Sequence, residues 1–541
     1  MAKCSACVEG TKKAWSRTAR RIRWTSLVCI LRFFVTARRL THMSDIRHAA
    51  LHILIPLFPL SAFHAHGKTI LPAIYNNMQS DPPVTIYRIL TGLWSAIAGP
   101  SPGIARRTAL ALLDENALEK LLDLVEREDV DPTSDKTVGD LTMAFLESTT
   151  TVPRQGICFP DEGWYPRKSG DGDENDEDLG GSGRRRDENK MRKGLHNRIL
   201  SNVVRKLGAK VVDGQGRVGD WVIKVLQACP EIVAGYWPHS ALSLEPRLNA
   251  RWLATISYVG RIISLPPPAL STFHEPIPRG SDLTESLPRP SPPSVNVMIE
   301  SIFPSPMGKV HLTKGLQSND HLVQHVTALA LARGLQKLET VQATLRQIET
   351  EVEAQPGTSE NASPSIWTKR RLELELECRR RVPEVFVIIA FAQKSATLAR
   401  VPADSDDEPD PKLVAKSALL TEVALRLFGL YHKTLPTISR EAKFDVGKLL
   451  VSASSAKAER REKREAREGS VISDSGSVGS VGTIGTVGMG GGFGQSRGDV
   501  DGFEAISQVH VLSLLSQVQD WQWTNKACKL KHLFNIPVPG Y

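Results

Sequence analysis

The sequence is poor in several things that would have placed it quickly. Aromatic residues make up only 6 % of 541, too few for a surface built mainly from base-stacking rings. Cysteine is sparse and odd in number: Cys4, Cys7, Cys29, Cys158, Cys229, Cys378 and Cys528 share no spacing framework. That distribution excludes a disulfide scaffold and fits a reducing compartment with most thiols buried. Cys4-Ser-Ala-Cys7 is a lone CxxC without two further ligands at zinc spacing. Long apolar runs are missing too. Residues 22–40 are broken by Arg23 and Arg32, and Leu51 to Phe63 is short and carries Pro56 and Pro59. Neither makes the roughly 20-residue span a membrane helix needs, so no stable membrane span is expected.

Charge is also missing from most of the chain. The formal net charge is +9. Residues 1–41 hold ten basic side chains (Lys3, Lys12, Lys13, Arg17, Arg20, Arg21, Arg23, Arg32, Arg38 and Arg39) against one acid, Glu9, so the remainder is formally neutral. The basic tail, about residues 1–45, suits a mitochondrial presequence, a nucleolar arm or non-native sequence equally well.

Apolar residues, at 41 %, recur at helical spacing. Asp81-Pro82-Pro83 precedes a stripe of Ile86, Ile89, Leu90, Leu93, Trp94 and Ile97, stopped at Gly99-Pro100; Asp81 is the expected cap. Asp114 opens a helix with Leu118, Leu121, Leu122 and Val125. Asp220 opens one with Trp221, Val222, Val225, Leu226 and Cys229. Pro246 begins a stripe of Leu248, Trp252, Ile256, Val259 and Ile263. Asn319-Asp320 precede the longest, running Leu322, Val326, Leu329, Leu335, Leu338, Val341, Leu345, Ile348 and Val352. Lys412 to Lys433 repeats the pattern with Leu413, Leu420, Val423, Leu427, Leu430 and Tyr431. Val385 to Phe391 is apolar enough for a strand, but its helical flanks favour a buried helix.

The expected fold is therefore all-α: an irregular armadillo- or HEAT-like helical-repeat array over residues 46–451. Insertions too polar to offset their ordering entropy are expected at about 169–193, 266–293, 354–366 and 402–411. A low-complexity linker occupies 452–501, and 502–541 is a short helical C-terminal segment.

Catalytic signatures fail on inspection. Gly67-Lys68-Thr69 resembles the end of a phosphate loop, yet Ala62 stands where that loop needs glycine. Gly214, Gly216 and Gly219 spell GxGxxG without the preceding strand or the later acidic residue, so a plain turn before a helix is the better reading. His321 and His325 are four apart, but Leu322 replaces the glutamate of a zinc protease, and solvated or capping histidines are favoured. No cofactor, metal or small-molecule substrate is expected, nor an enzyme.

Three dense segments stand out. GICFPDEGWYPR (156–167) packs two glycines, two prolines and three aromatics into twelve residues. ACPEIVAGYW (228–237) joins a helix end to an aromatic pair, and IFPSPM (302–307) leads into Lys309 and Lys314. The plain reading is a set of structural corners between helices. The sharper one is a docking surface, with Arg154, Trp164, Tyr165, Arg167, Lys168, Tyr236, Trp237, Lys309 and Lys314 as candidate contacts to a partner or to RNA.

These segments, with LEPRLNARWLATISYVGRIISLPPP (244–268), ESIFPSPMGKVHLTKGLQ (300–317), KFDVGKLL (443–450) and LDENALEKLL (113–122), resemble the amino-terminal region of the nucleolar pre-ribosomal-associated protein family, in family order. The resemblance implies a helical-repeat scaffold of the nucleolus without catalysis of its own. Its implied partners are pre-rRNA of the large subunit and assembly factors that include an RNA helicase. The chain is much shorter than a family member, its first 45 or so residues do not match, and its low-complexity tail stands where further helices are expected. The competing reading is a mitochondrial or membrane-associated helical protein directed by the basic tail.

Overall fold

The computed structural model describes residues 50–51, 54, 74–76, 78–99, 104, 106–130, 135–167, 195–213, 216–275, 286–354, 365–398, 410–441, 502–503 and 505–514. The expected tail, CxxC, phosphate-loop remnant, KFDVGKLL and low-complexity linker lie outside them. Among the described residues the fold is helical, with only two isolated β-bridges, Val130 to Thr137 and His274 to Pro288. The all-α expectation holds. Val385 to Phe391 is a helix.

The chain divides into two compact units. Unit 1 comprises Met1–Leu242, Pro268–Arg289 and Asn296–Ser301. Its helices are α1 (Pro83–Ile97), α2 (Arg106–Leu112), α3 (Glu115–Leu122), α4 (Val138–Thr150), α5 (Arg198–Leu207) and α6 (Gly216–Ala228). α1 packs on α4, α4 on α6, and α3 on α5. Each buries one face: Ile86, Ile89, Leu90, Leu93 and Ile97 on α1, and Leu118, Leu121 and Leu122 on α3. Asp114 caps α3 as expected, its carboxylate accepting from the Ala117 N–H at 2.8 Å.

Two expected starts move in unit 1, and one expected core residue does not hold. Pro82, not Asp81, is the N-cap of α1, because the Asp81 carbonyl accepts from Arg127 Nη1 and Asp81 is buried beneath it. α6 begins at Gly216, one turn before Asp220, so Gly216 and Gly219 are helical and no nucleotide-type turn forms from them. Trp94, expected in the apolar stripe of α1, is 39 % exposed.

Unit 2 comprises Ser243–Pro267, Pro290–Val295 and Ile302–Tyr541. It contains α7 (Ala250–Ile263), α8 (Lys309–Leu316), α9 (His321–Glu353), α10 (Ile366–Arg381), α11 (Val385–Thr397) and α12 (Pro411–Thr434). α9, 33 residues and about 50 Å long at 1.5 Å per residue, is the axis against which α7, α8, α10 and α12 pack. α7 starts at Ala250 rather than Pro246, because Asn249 supplies the cap at Trp252 N, which leaves Leu248 before the helix and 58 % exposed.

The first two turns of α9 do not use the predicted stripe. Leu322 is 48 % exposed, and Val323, Gln324, Thr327 and Ala328 face inward instead. The cause is the close approach of α8. A Cβ on Gly315 would lie 2.3 Å from Thr327 Oγ1, and Gln324 Nε2 donates to the carbonyls of Leu316 and Ser318. From Leu335 to Ile348 the predicted stripe is the buried one.

Two expected insertions are folded at their edges. In 266–293, Leu270–Phe273 forms a 3₁₀ turn that buries Phe273, and in 402–411 Asp410 caps α12, with Pro411 as its first residue. Ser365 likewise caps α10 at the end of 354–366. Within 502–541, residues 505–514 are helical, with Val511 and Leu514 buried and His510 Nε2 3.0 Å from Glu422 Oε1 on α12.

Lys337, midway along α9, is 7 % exposed, and burial lowers its pKa from 10.5 to about 7. Between those values the unfolded chain holds a proton that the folded one has released, so unit 2 gains stability as pH rises across that window. Lys337→Met is expected to abolish this slope and to stabilise unit 2 at pH 7 by on the order of 2 kcal/mol. Urea titrations of the full chain at pH 7 and pH 9 check it.

Candidate docking corners

The first corner follows α4. Thr149 and Thr150 end that helix with their hydroxyls bonded to the carbonyls of Phe145 and Leu146, so both are buried without orphaned polar atoms. The chain then doubles back, and Ile157 N donates to the Thr149 carbonyl at 2.9 Å. Gly156 makes the reversal at φ +58°; a Cβ there would lie 2.2 Å from the Thr149 oxygen. Arg154, exposed on the outside of the bend, takes φ +69°.

The second half of the corner closes over Phe273. Asp161 accepts from Gly163 N at 2.8 Å, and Gly163, at φ +63°, presses against Thr272 and Pro268. The rings of Trp164 and Tyr165 each meet Phe273 edge-on with centroids 6.2 Å apart. Arg289 lies 4.3 Å above the Tyr165 ring and pairs with Glu162 at 2.5 Å. Burial raises the pKa of the Tyr165 hydroxyl well above its ordinary range.

The second corner, between α6 and Trp237, ties the first in place. Glu231 accepts from the backbone N–H groups of His196 and Asn197 at 3.1 and 2.8 Å, and Asn197 in turn accepts from Phe159 N at 2.9 Å. Burial pushes the Glu231 carboxyl up, against the pull of those backbone donors. Arg106 stacks on Phe159 and donates to the Cys158 carbonyl. Cys158 and Cys229, one from each corner, are buried with their sulfurs 3.7 Å apart. Trp237 Nε1 donates to the Glu300 carbonyl at 2.8 Å, and Tyr236 packs beside it.

The third corner belongs to unit 2. Phe303 lies buried against Gly334 of α9, and Arg381 donates to its carbonyl at 2.6 Å.

The nine candidate contacts therefore separate. Trp164, Tyr165, Tyr236 and Trp237 are at most 8 % exposed, so as free contact surfaces they are corrected: the rings fill the gaps between helices of unit 1 and brace its corners. Arg154 is exposed and Arg167 half-buried; Lys168 lies outside the described residues. Lys309 pairs with Glu384, and Lys314 pairs with Glu245 at 2.8 Å, both in unit 2. His321 Nδ1 lies 3.3 Å from Gln324 Oε1, and burial lowers the pKa of His325. No three potential metal ligands converge among the described residues. Sequence reading missed Arg106, Asn197, Glu231, Phe273 and Arg289, which hold the corners; their partners are tens of residues away, and no local pattern marks them.

Comparison with known proteins finds one family model that resembles part of the chain. Residues 7–255 match the model Npa1, described as ribosome 60S biogenesis N-terminal, so most of the first 45 residues, expected not to match, lie within the match. That stretch contains both braced corners of unit 1.

Residues 7–255 are similar to the Npa1 family.

Relatives agree at low identity. Nucleolar pre-ribosomal-associated protein 1 of Homo sapiens is 25 % identical over 261 residues, which cover 45 % of this chain and 11 % of that protein. The Saccharomyces cerevisiae protein of the same name is 26 % identical over 149 residues, 27 % of this chain and 8 % of the relative. The Mus musculus protein is 23 % identical over 257 residues, 45 % and 11 %. The aligned part of this chain thus spans about a tenth of the relatives' length. No solved structure matches it.

Proposed function

We propose that this chain is a non-catalytic nucleolar scaffold in early assembly of the large ribosomal subunit, holding pre-rRNA and assembly factors, an RNA helicase among them. The observation that carries this reading is the family match over residues 7–255, which takes in the corners and the helices they brace. Physical support comes from the corners themselves. Burying the aromatic rings fixes the turns between helices, so the outer surface keeps its shape while exposed side chains such as Arg154 meet a partner. Arg167 and Lys168 lead into the 169–193 stretch, acidic first and then basic, whose Arg184, Arg185 and Arg186 suit phosphate. No helix among the described residues is long and apolar enough to cross a membrane.

Sedimentation of cell extract carrying the tagged full chain tests this. The chain is expected to migrate with large-subunit precursor particles at low salt and to be released as salt rises, as phosphate contacts are screened. Migration as free protein at low salt contradicts the proposal.

A further inference from the structure

We infer that Cys158 and Cys229 are a peroxide-sensitive thiol pair that closes into a disulfide joining the first and second corners of unit 1. The two sulfurs lie 3.7 Å apart, on segments 71 residues apart in sequence. A movement of under about 2 Å brings them to bonding separation. Both are buried, at 0 % and 1 % exposure, so neither meets a large oxidant. Hydrogen peroxide, close to water in size, reaches them through local opening of the corner.

The surroundings assign the roles. A hydrogen bond from Cys229 holds the Cys158 thiol below its usual range, helped by the Arg106 guanidinium and opposed by burial, Asp161 and Glu231. The same contact and burial hold the Cys229 thiol well above its range. Arg106, which donates to the Cys158 carbonyl and whose charge favours that thiolate, makes Cys158 the attacking thiolate and Cys229 the resolving thiol.

In the first step the Cys158 sulfur attacks one oxygen of peroxide. The O–O bond breaks, Cys158 becomes a sulfenic acid, and hydroxide leaves to take up the proton that Cys158 had released. In the second, Cys229 loses its proton and its sulfur attacks that of Cys158. The S–O bond breaks, the S–S bond forms, and the departing hydroxide takes the Cys229 proton as water. Two thiols are oxidised by two electrons and one peroxide is reduced to two waters. This inference stands apart from the ribosomal reading, since it needs only the pair and its oxidant.

Cys378, a single buried thiol in unit 2 whose pKa burial raises strongly, is the internal control. The native full chain is treated with hydrogen peroxide, quenched, unfolded, alkylated, digested and analysed by mass spectrometry. A linked 158–229 peptide is expected while Cys378 is recovered as alkylated thiol. The oxidised form of unit 1 should also gain about 30-fold or more in its folded-to-unfolded ratio, reversed by dithiothreitol, as for a cross-link closing a long loop. In Cys229→Ser, dimedone should label Cys158. Four results overturn the inference: both cysteines recovered as thiols, whether or not Cys378 is oxidised; Cys158 linked to Cys4, Cys7, Cys29 or Cys528; linkage only in the urea-unfolded chain; or no dimedone label on Cys158 in a folded Cys229→Ser chain. The peptide map of the unsubstituted chain decides the matter alone if that variant fails to fold.

Discussion

Replacing Gly156 with alanine is expected to destabilise unit 1 by about 3 kcal/mol or more, through two effects that add. At φ +58° a side chain costs about 1–2 kcal/mol by its contact with the neighbouring carbonyl. The larger effect is external. The new Cβ would lie 2.2 Å from the Thr149 oxygen and 2.7 Å from its Cα, and both are backbone atoms that cannot rotate away. Relief requires opening the Ile157 N–H to Thr149 carbonyl bond, which exposes Ile157 and Cys158, now 2 % and 0 % exposed. Pulse proteolysis of the full chain across a urea series measures the change, read on peptides from α4 to Trp237. Gly216→Ala is the matched control: among the described residues nothing lies within 4 Å of the added methyl, and that change should leave stability within about 0.5 kcal/mol.

Trp164→Ala is expected to cost about 3–5 kcal/mol, the range for emptying a buried aromatic site. Trp164→Phe should cost far less, about 1 kcal/mol, for a specific reason. Among the described residues the buried indole N–H of Trp164 has no acceptor, so phenylalanine loses part of the ring but no hydrogen bond. Trp237 provides the contrast. Its N–H donates to the Glu300 carbonyl at 2.8 Å, and Trp237→Phe loses that hydrogen bond, so it should cost more than Trp164→Phe. If the two phenylalanine variants are equally destabilised, the indole N–H of Trp164 is bonded after all. If Trp164→Ala is neutral, the ring is not a wedge.

Helix positions were legible wherever the pattern carried one physical signal. Asp114 both precedes a leucine stripe and caps it, and the half of α9 from Leu335 to Ile348 buries every predicted residue. Legibility failed where a second constraint competed. At the start of α9 the approach of α8 selects small and polar residues, Thr327, Ala328 and Gln324, so the most apolar side chains there are not the buried ones. Asp81 and Asp220 have the right chemistry for caps. One is held by Arg127 through its carbonyl, and the other sits a turn inside a helix that glycine had already opened.

The corners were visible in the sequence as composition, because glycine, proline and aromatic residues crowd there. Their chemistry was not. Glycine at positive φ and rings packed on Phe273 make Trp164 and Tyr165 interior residues, whereas composition alone allowed an exposed hot spot. The network around them depends on Glu231 reaching His196 and Asn197, and on Arg289 reaching Glu162. Those pairs are 34 to 127 residues apart, beyond any periodicity. The resemblance to the family was legible because several odd strings occur in order.

Amide hydrogen exchange on the full native chain tests the braced corners most directly. With the Ile157 amide bonded to the Thr149 carbonyl and the Tyr165 amide to that of Glu162, residues 156–165 should exchange as slowly as the middle of α4. Complete exchange of that segment within seconds, while α4 stays protected, would show a loose loop and contradict the account.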